Sequence, residues 1–289
     1  ESDMQTIIGQ VLEQYRADSL GEERNALKEV VQEVALCGLS RAGFFKSAAF
    51  YGGTALRIFY GLDRFSEDLD FSLIAPDPSF DLKAYFPILE SEIRATGLHF
   101  TVEEKVKSAE SNIRSAFLKG NTKEHILSFS QGQDSSALHP GEIIRIKFKM
   151  DIAPPAFATF ETKYRLLPSP YEVRLYDLPS LFAGKIHAVL CRAWKNRIKG
   201  RDLYDYVFYL AKGAAVNLAH LKARLVDSGF IGEEYPLDRD RLIGLLNERF
   251  ADIDYEQAKQ DVLPFIKDKS KLNLWSAAFF TDITKNLQM

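Results

Sequence analysis

The sequence predicts a mixed α/β core, a short twisted sheet flanked by helices, followed by a helical C-terminal lobe. Three features point that way. An apolar run at residues 48–51 is stopped by Gly52-Gly53 and followed by helical spacing. Two stretches, 68–73 and 142–151, alternate polar with apolar side chains as half-buried strands do. From Pro179 onward, apolar residues recur at helical spacing through most of the remaining chain.

Taken in chain order, residues 22–42 set Leu27, Val30, Val31, Val34 and Ala35 on one helical face, with Gly38 and Gly43 available to end the helix. Ala48-Ala49-Phe50-Tyr51 then reads as a strand, Gly52-Gly53 as a turn, and Thr54 as the opening of a helix over residues 55–60. In Asp68-Leu69-Asp70-Phe71-Ser72-Leu73 a strand sends Asp68, Asp70 and Ser72 to one face and Leu69, Phe71 and Leu73 to the other. Residues 81–96 read as a helix, 98–105 and 112–118 as strands, and the polar stretch 119–141 as a loop. Residues 142–151 alternate again: Ile144, Ile146, Phe148 and Met150 share one face, and Arg145, Lys147, Lys149 and Asp151 the other. Asp151-Ile152-Ala153-Pro154-Pro155 marks a change of texture, and the domain boundary is placed near residue 176. Residues 1–175 then form the core with its N-terminal helices, and 176–289 a helical lobe that closes a cleft over the sheet. Within that lobe, 181–196, 202–212, 218–228, 238–250 and 255–266 read as helices.

A chain of 289 residues, 46% of them hydrophobic, can bury a sizeable core. Its formal net charge of −3 argues against a protein that coats duplex DNA by bulk electrostatics, while leaving room for a local basic patch. The two cysteines, Cys37 and Cys191, stand in no Cys-x-x-Cys pair and near no histidine cluster, so no zinc site is expected and a reducing cytoplasm fits. No apolar run approaches the roughly 18 residues a membrane-crossing helix needs, and the N-terminus is polar and acidic, so a soluble, unexported protein is expected.

Chemistry enters with the carboxylates. Asp68 and Asp70, one residue apart on a strand, lie side by side, close enough to bridge divalent cations. A third carboxylate from a neighbouring strand would complete a two-metal site for in-line phosphoryl displacement, and Asp151 is the candidate by pattern. Asp-x-Asp at a strand end is also a common solvated pair. Here, however, Gly52-Gly53-Thr54 stands upstream at a strand-to-helix turn, where backbone N–H groups and a helix N-terminus suit a triphosphate. Lys185, after Ala183-Gly184 in an otherwise apolar helical turn, is awkward without an anionic partner, although a lysine can also snorkel to the surface. The segment 192–201 carries five basic residues in ten and no acid, which fits a solvated helix end or a polyanion contact, with Trp194 available to stack on a base or to join the core. The histidines show no ligand spacing.

These blocks carry a resemblance. Tyr51-Gly52-Gly53, a helix, and then Asp68-Leu69-Asp70-Phe71 resemble the Gly-Gly/Ser and Asp-x-Asp signature of polymerase-β-type nucleotidyltransferases. More narrowly, Phe50-Tyr51-Gly52-Gly53-Thr54-Ala55-Leu56 with Arg64-Phe65-Ser66-Glu67-Asp68-Leu69-Asp70-Phe71 resembles the AbiEii/AbiGii-type nucleotidyltransferase toxins of bacterial toxin–antitoxin and phage-defence (abortive infection) systems. Asp151 to Pro155, Leu181-Phe182-Ala183-Gly184-Lys185, and Lys199-Gly200-Arg201-Asp202-Leu203-Tyr204-Asp205 extend the match, which spans roughly residues 50–210.

The resemblance implies a polymerase-β-like nucleotidyltransferase core with a short mixed sheet, and an enzyme that moves NMP from an NTP to an acceptor hydroxyl. It implies Asp68 and Asp70 as catalytic metal ligands for Mg²⁺, with Mn²⁺ as the alternative ion; Asp151 stays the third ligand expected from the strand pattern, with Glu142 as a weaker substitute. Gly52, Gly53 and Thr54 would face the nucleotide phosphates, and Lys185 would contact the triphosphate. Asp202 would orient or accept a proton, and Arg201 would bind the nucleotide or pair with the carboxylates. Ser66 would touch the nucleotide or simply shape the turn. The acceptor implied is RNA, such as the tRNA 3′ end, or a protein hydroxyl, and a cognate antitoxin is implied that need not bind directly. Two rivals stay open: a small-molecule, antibiotic-modifying nucleotidyltransferase, and a nucleotidyltransferase-like binding module without chemistry.

Overall fold

A computed structural model describes residues 15, 19–104, 122–131, 141–192 and 199–289. The chain divides into two compact units. The first comprises Glu1–Thr54, Ser66–Pro154 and Glu161–Leu175, and the second Ala55–Phe65, Pro155–Phe160 and Tyr176–Met289. The segments 55–65 and 155–160, expected in the first domain, cluster with the second. Their contacts explain this: the Tyr60 hydroxyl donates to the Tyr176 carbonyl at 3.3 Å, and the Phe157 carbonyl accepts from Asn217 at 2.8 Å.

The first unit is built on a mixed sheet of β1 (Ala48–Tyr51), β2 (Leu69–Leu73), β3 (Leu98–Glu104), β4 (Thr122–Gln131), β5 (Ile143–Asp151), β6 (Phe160–Arg165) and β7 (Tyr171–Tyr176), in the order β3-β4-β5-β2-β1-β7-β6. β2 lies between β1, antiparallel to it, and β5, parallel to it. The alternation read from the sequence is real: Ile144, Ile146, Phe148 and Met150 are buried along β5, as are Leu69, Phe71 and Leu73 along β2. Neighbouring strands bring Phe50, Phe71 and Phe148 into a row, with ring centroids 5.1 and 4.7 Å apart. That row fixes register, because a one-residue slip would turn charged side chains into the core.

Helix α1 (Leu20–Arg41) carries the buried Val30, Val31, Val34 and Ala35. It starts at Ser19, whose hydroxyl caps the Glu22 N–H, and the chain leaves it through Gly43 at φ 77°. β1 runs into α2 (Gly52–Tyr60), and a 3₁₀ turn at Leu82–Tyr85 leads into α3 (Phe86–Arg94). The loop expected over 119–141 is corrected: residues 122–131 form β4, paired antiparallel with both β3 and β5. Its polar composition hid an alternation in which His125, Leu127 and Phe129 are buried. The strand expected at 112–118 lies outside the described residues.

The second unit holds α4 (Leu178–Cys191), α5 (Gly200–Ala211), α6 (Leu218–Asp227), α7 (Arg239–Ala251), α8 (Tyr255–Val262) and α9 (Ala277–Thr284). Asp177 caps α4 through the Ser180 N–H, with Pro179 in its first turn. The core is aromatic: Phe182 stacks on Tyr209 at 4.6 Å, and Tyr206, Phe250 and Phe280 pack together. No helix among the described residues is long and apolar enough to cross a membrane.

Candidate active site

In the first unit the carboxylate pair forms where β1, β2 and β5 meet. Pairing of β1 with β2 sets Tyr51 against Asp70, so the turn that follows Tyr51 lies on the Asp70 side chain. Gly52 occupies that turn at φ 84°, and a Cβ there would stand 2.7 Å from Asp70 Oδ2. Both the backbone angle and the close approach demand glycine. Asp68 immediately precedes β2, and Lys149 of β5 lies opposite Asp70 in the parallel register. The Lys149 ammonium is 2.5 Å from Asp68 Oδ2 and 3.7 Å from Asp70 Oδ1. One cation therefore touches both carboxylates, which converge on the same space. Burial alone would lower the Lys149 ammonium, but Asp70 and Asp68 outweigh it and hold the group above its ordinary value.

The segment that delivers Asp68 is fastened from two sides. Thr54, almost wholly buried, donates its hydroxyl to the Asp68 carbonyl at 2.5 Å and lies 2.9 Å from Ser66 Oγ. From α1, Gln32 Nε2 donates to the Ser66 carbonyl at 3.0 Å and Lys28 pairs with Glu67 at 2.9 Å. Thr54 and Ser66 thus meet side chain to side chain at the turn that carries Asp68. Gly53 follows Gly52 in the first turn of α2, where backbone N–H groups of the helix start are gathered.

Asp151 does not join the pair. The register places it against Ser72, while Asp70 faces Lys149, so Asp151 lies two residues further along its strand. Its Oδ1 accepts from the Ala153 N–H at 3.0 Å, bending the carboxylate into the turn before Pro154. Among the described residues no group of three acidic, histidine or cysteine side chains is gathered to hold a metal. Two oxygen-donor carboxylates beside a helix start do fit a magnesium ion, which needs one or two carboxylates and completes its shell with water and nucleotide phosphates.

In the second unit a buried ion network forms around α4 and α5. Lys185 Nζ is 2.8 Å from both Asp202 Oδ1 and Asp205 Oδ2. Arg64 grips Asp205 with a two-pronged bond, Nε and Nη2 each 2.6 Å from a carboxylate oxygen, and Arg192 pairs with Asp202. Asp202 and Asp205 lie on one face of α5, as spacing requires, and both are buried. Burial would raise the Asp202 carboxyl, but Lys185 and Arg192 more than offset it and hold it below the usual carboxylate range. Asp202 is no helix cap, since α5 begins at Gly200 after Lys199. Arg201 pairs with Asp261 at 3.4 Å and covers the Phe265 ring, its centroid 4.3 Å away. Residues 193–198, with Trp194 and most of the basic run, lie outside the described residues.

Sequence reasoning passed over Lys149, Gln32 and Arg64. Lys149 was legible in principle as the polar-face residue of β5 nearest Asp70, but this needs the β2–β5 register. Arg64 stands in the same block as Asp70 yet is directed to Asp205, 141 residues away along the chain.

Residues 34–280 match the family model described as nucleotidyl transferase AbiEii toxin, type IV toxin–antitoxin system. The protein is a nucleotidyltransferase. Its chain belongs to the AbiEii toxin family. No curated protein matches it significantly. Among solved structures it is similar to JHP933 from Helicobacter pylori, at 18% identity, over 89% of this chain and 90% of that one, with a TM-score of 0.47. It is similar also to the nucleotidyltransferase toxin MenT4 of Mycobacterium tuberculosis H37Rv, at 16% identity, over 98% of each chain, with a TM-score of 0.47.

Proposed function

We propose that the protein transfers NMP from an NTP to an acceptor hydroxyl in a reaction dependent on Mg²⁺, with Mn²⁺ as the alternative ion, and that it acts as the toxin of a type IV toxin–antitoxin or abortive-infection system. The observation that carries this reading is the convergence of Asp68 and Asp70 on one cation beside the Gly52 turn. The acceptor oxygen forms a bond to the α-phosphorus, the bond from that phosphorus to the bridging oxygen breaks, pyrophosphate leaves, and the hydroxyl proton passes to solvent. A divalent ion on Asp68 and Asp70 supplies charge neutralisation at the reacting phosphates. The chain's own part is positional: Thr54 and Gln32 hold the Asp68 segment, and the first turn of α2 presents backbone N–H groups to phosphate.

For Lys185 the reading rests on its surroundings. Lys185, Arg64 and Arg192 meet the two carboxylates of Asp202 and Asp205, so this set carries one positive charge in excess, which favours an anion such as a triphosphate. Asp202, held ionised by two cations, is a weak base, and we assign it to orienting Lys185 rather than to accepting the proton. The acceptor we favour is RNA, such as the tRNA 3′ end, or a protein hydroxyl, with a cognate antitoxin as the cellular partner.

The test is to incubate the protein with each α-labelled NTP, Mg²⁺ and total cellular RNA, total protein, or a panel of aminoglycosides. Label should enter RNA or protein, and Asp70→Asn should reduce the rate by at least about a hundredfold. Label in the aminoglycosides alone would select the antibiotic-modifying reading. Transfer undiminished by Asp70→Asn would remove the mechanism.

A further inference from the structure

The strand next to β2 holds a lysine where a two-metal site would hold a carboxylate. β5 runs parallel to β2 and sets Leu69, Asp70, Phe71 and Ser72 against Phe148, Lys149, Met150 and Asp151. Phe148 and Met150 are fully buried, so the register cannot slip by the one residue that would exchange their places with Lys149. The neighbour slot facing Asp70 across this strand pair is therefore that of Lys149, while Asp151 lies against Ser72, two residues further along β5, with its Oδ1 accepting from the Ala153 N–H. Lys149 lies 2.5 Å from Asp68 Oδ2 and 3.7 Å from Asp70 Oδ1, with its side chain 31% exposed. On the opposite side β4 sets Glu124 against it, so the ammonium sits among three carboxylate-bearing positions.

Two carboxylates that converge without a cation repel each other, and one tends to take up a proton. An ammonium tethered between them removes that penalty, but a divalent ion must then compete with it for the same oxygens. A nucleotide changes the balance, because its phosphates bring metal ligands of their own and offer the displaced ammonium a new anionic partner.

We propose that Lys149 is the built-in counter-cation of the Asp68–Asp70 pair, that it stands in for a second divalent ion, and that the site loads a single divalent ion together with the nucleotide. This rests on the reading of Asp68 and Asp70 as metal carboxylates. Loading the ion shifts Lys149 from Asp68 onto phosphate oxygen, so one residue guards the empty pair and serves the occupied one.

The experiment counts Mn²⁺ by electron paramagnetic resonance on the full chain, with and without an α,β-non-hydrolysable NTP analogue. It uses wild type, Lys149→Met, Lys149→Gln, Lys149→Arg and Asp70→Asn. Wild type should bind one Mn²⁺ per chain with the analogue and bind it weakly without. Lys149→Met and Lys149→Gln should each bind Mn²⁺ without nucleotide about tenfold more tightly or better, and Lys149→Arg should behave as wild type. Two Mn²⁺ per wild-type chain, a count that needs no variant to fold, overturns the proposal. So does unchanged metal affinity in the Met and Gln variants when Asp70→Asn has lost it, an outcome that leaves the function standing. Mn²⁺ binding that survives in Asp70→Asn, or none in wild type under either condition, overturns the carboxylate reading itself.

Discussion

Gly52 meets two demands at one position. Its φ of 84° is one that side-chain-bearing residues rarely adopt, and the space a Cβ would take is held by Asp70 Oδ2, 2.7 Å away. Gly52→Ala should therefore add about 1–2 kcal/mol of backbone strain and push Asp70 aside, so the expected loss in NMP transfer is about a hundredfold. The chain should remain folded, and circular dichroism beside the activity assay separates the two effects; full activity in the Gly52→Ala variant would contradict this reading of the turn. The glycine was visible in the sequence as a strand-to-helix turn, and Asp68 and Asp70 as a pair on one face. What could not be read was the direction of Thr54 and Ser66, whose hydroxyls serve the segment carrying Asp68. A short polar side chain at a turn bonds equally well to its own backbone or to a ligand, and residue type alone does not distinguish them.

Between elements, two contacts in the second unit explain motif residues by what they hold together. Gly200 opens α5 against α8, and a Cβ there would lie 1.7 Å from the Ala258 carbonyl oxygen. Backbone cannot swing away as a flexible side chain does, so Gly200→Ala should cost about 1–3 kcal/mol or more by overpacking, measured by urea unfolding. Unchanged stability would mean that the two helices are less tightly opposed. Arg64 ties the segment before β2 to α5 through Asp205, both groups nearly inaccessible to water. Arg64→Ala strands a buried carboxylate on Lys185 alone and should cost about 3–5 kcal/mol. Arg64→Lys keeps the charge but loses the two-pronged fit, so its stability should fall between those of wild type and alanine in the same unfolding experiment. Helix spacing alone puts Asp202 and Asp205, three residues apart, on one face, yet nothing local indicates Arg64 as the partner. Loop closure over so long a stretch is a tertiary event.

For the molecule as a whole, stability should fall on mild acidification before the carboxylates titrate. His187 is pushed down to about 3, by burial first and then by Arg224 and Arg192, and His220 to about 4, by burial and Arg224. Both values lie below the 6.5 of an exposed histidine, so as pH falls from about 6.5 towards 4 the unfolded chain binds protons that the folded chain refuses. The stability present above pH 6.5 is thus lost at up to about 1.4 kcal/mol per pH unit for each histidine. Urea midpoints measured between pH 7 and 4.5 should fall for wild type and fall less steeply for His187→Leu; equal slopes would show that His187 does not stay neutral in the fold.

Periodicity along the chain was sufficient for the mixed α/β core, the helical second half and the convergence of Asp68 with Asp70, because which face a side chain takes is set by strand and helix geometry within a few residues. It failed for β4, where polar residues disguised a strand that exists through pairing on both edges. It failed also for the third carboxylate. Asp151 and Lys149 share one face of one strand, and the pattern cannot rank them; the parallel register of β5 on β2 puts the lysine at Asp70 and carries the aspartate past it. Register depends on which distant side chains interlock in the core, here Phe71 with Phe148, and that information is absent from any local stretch of residues.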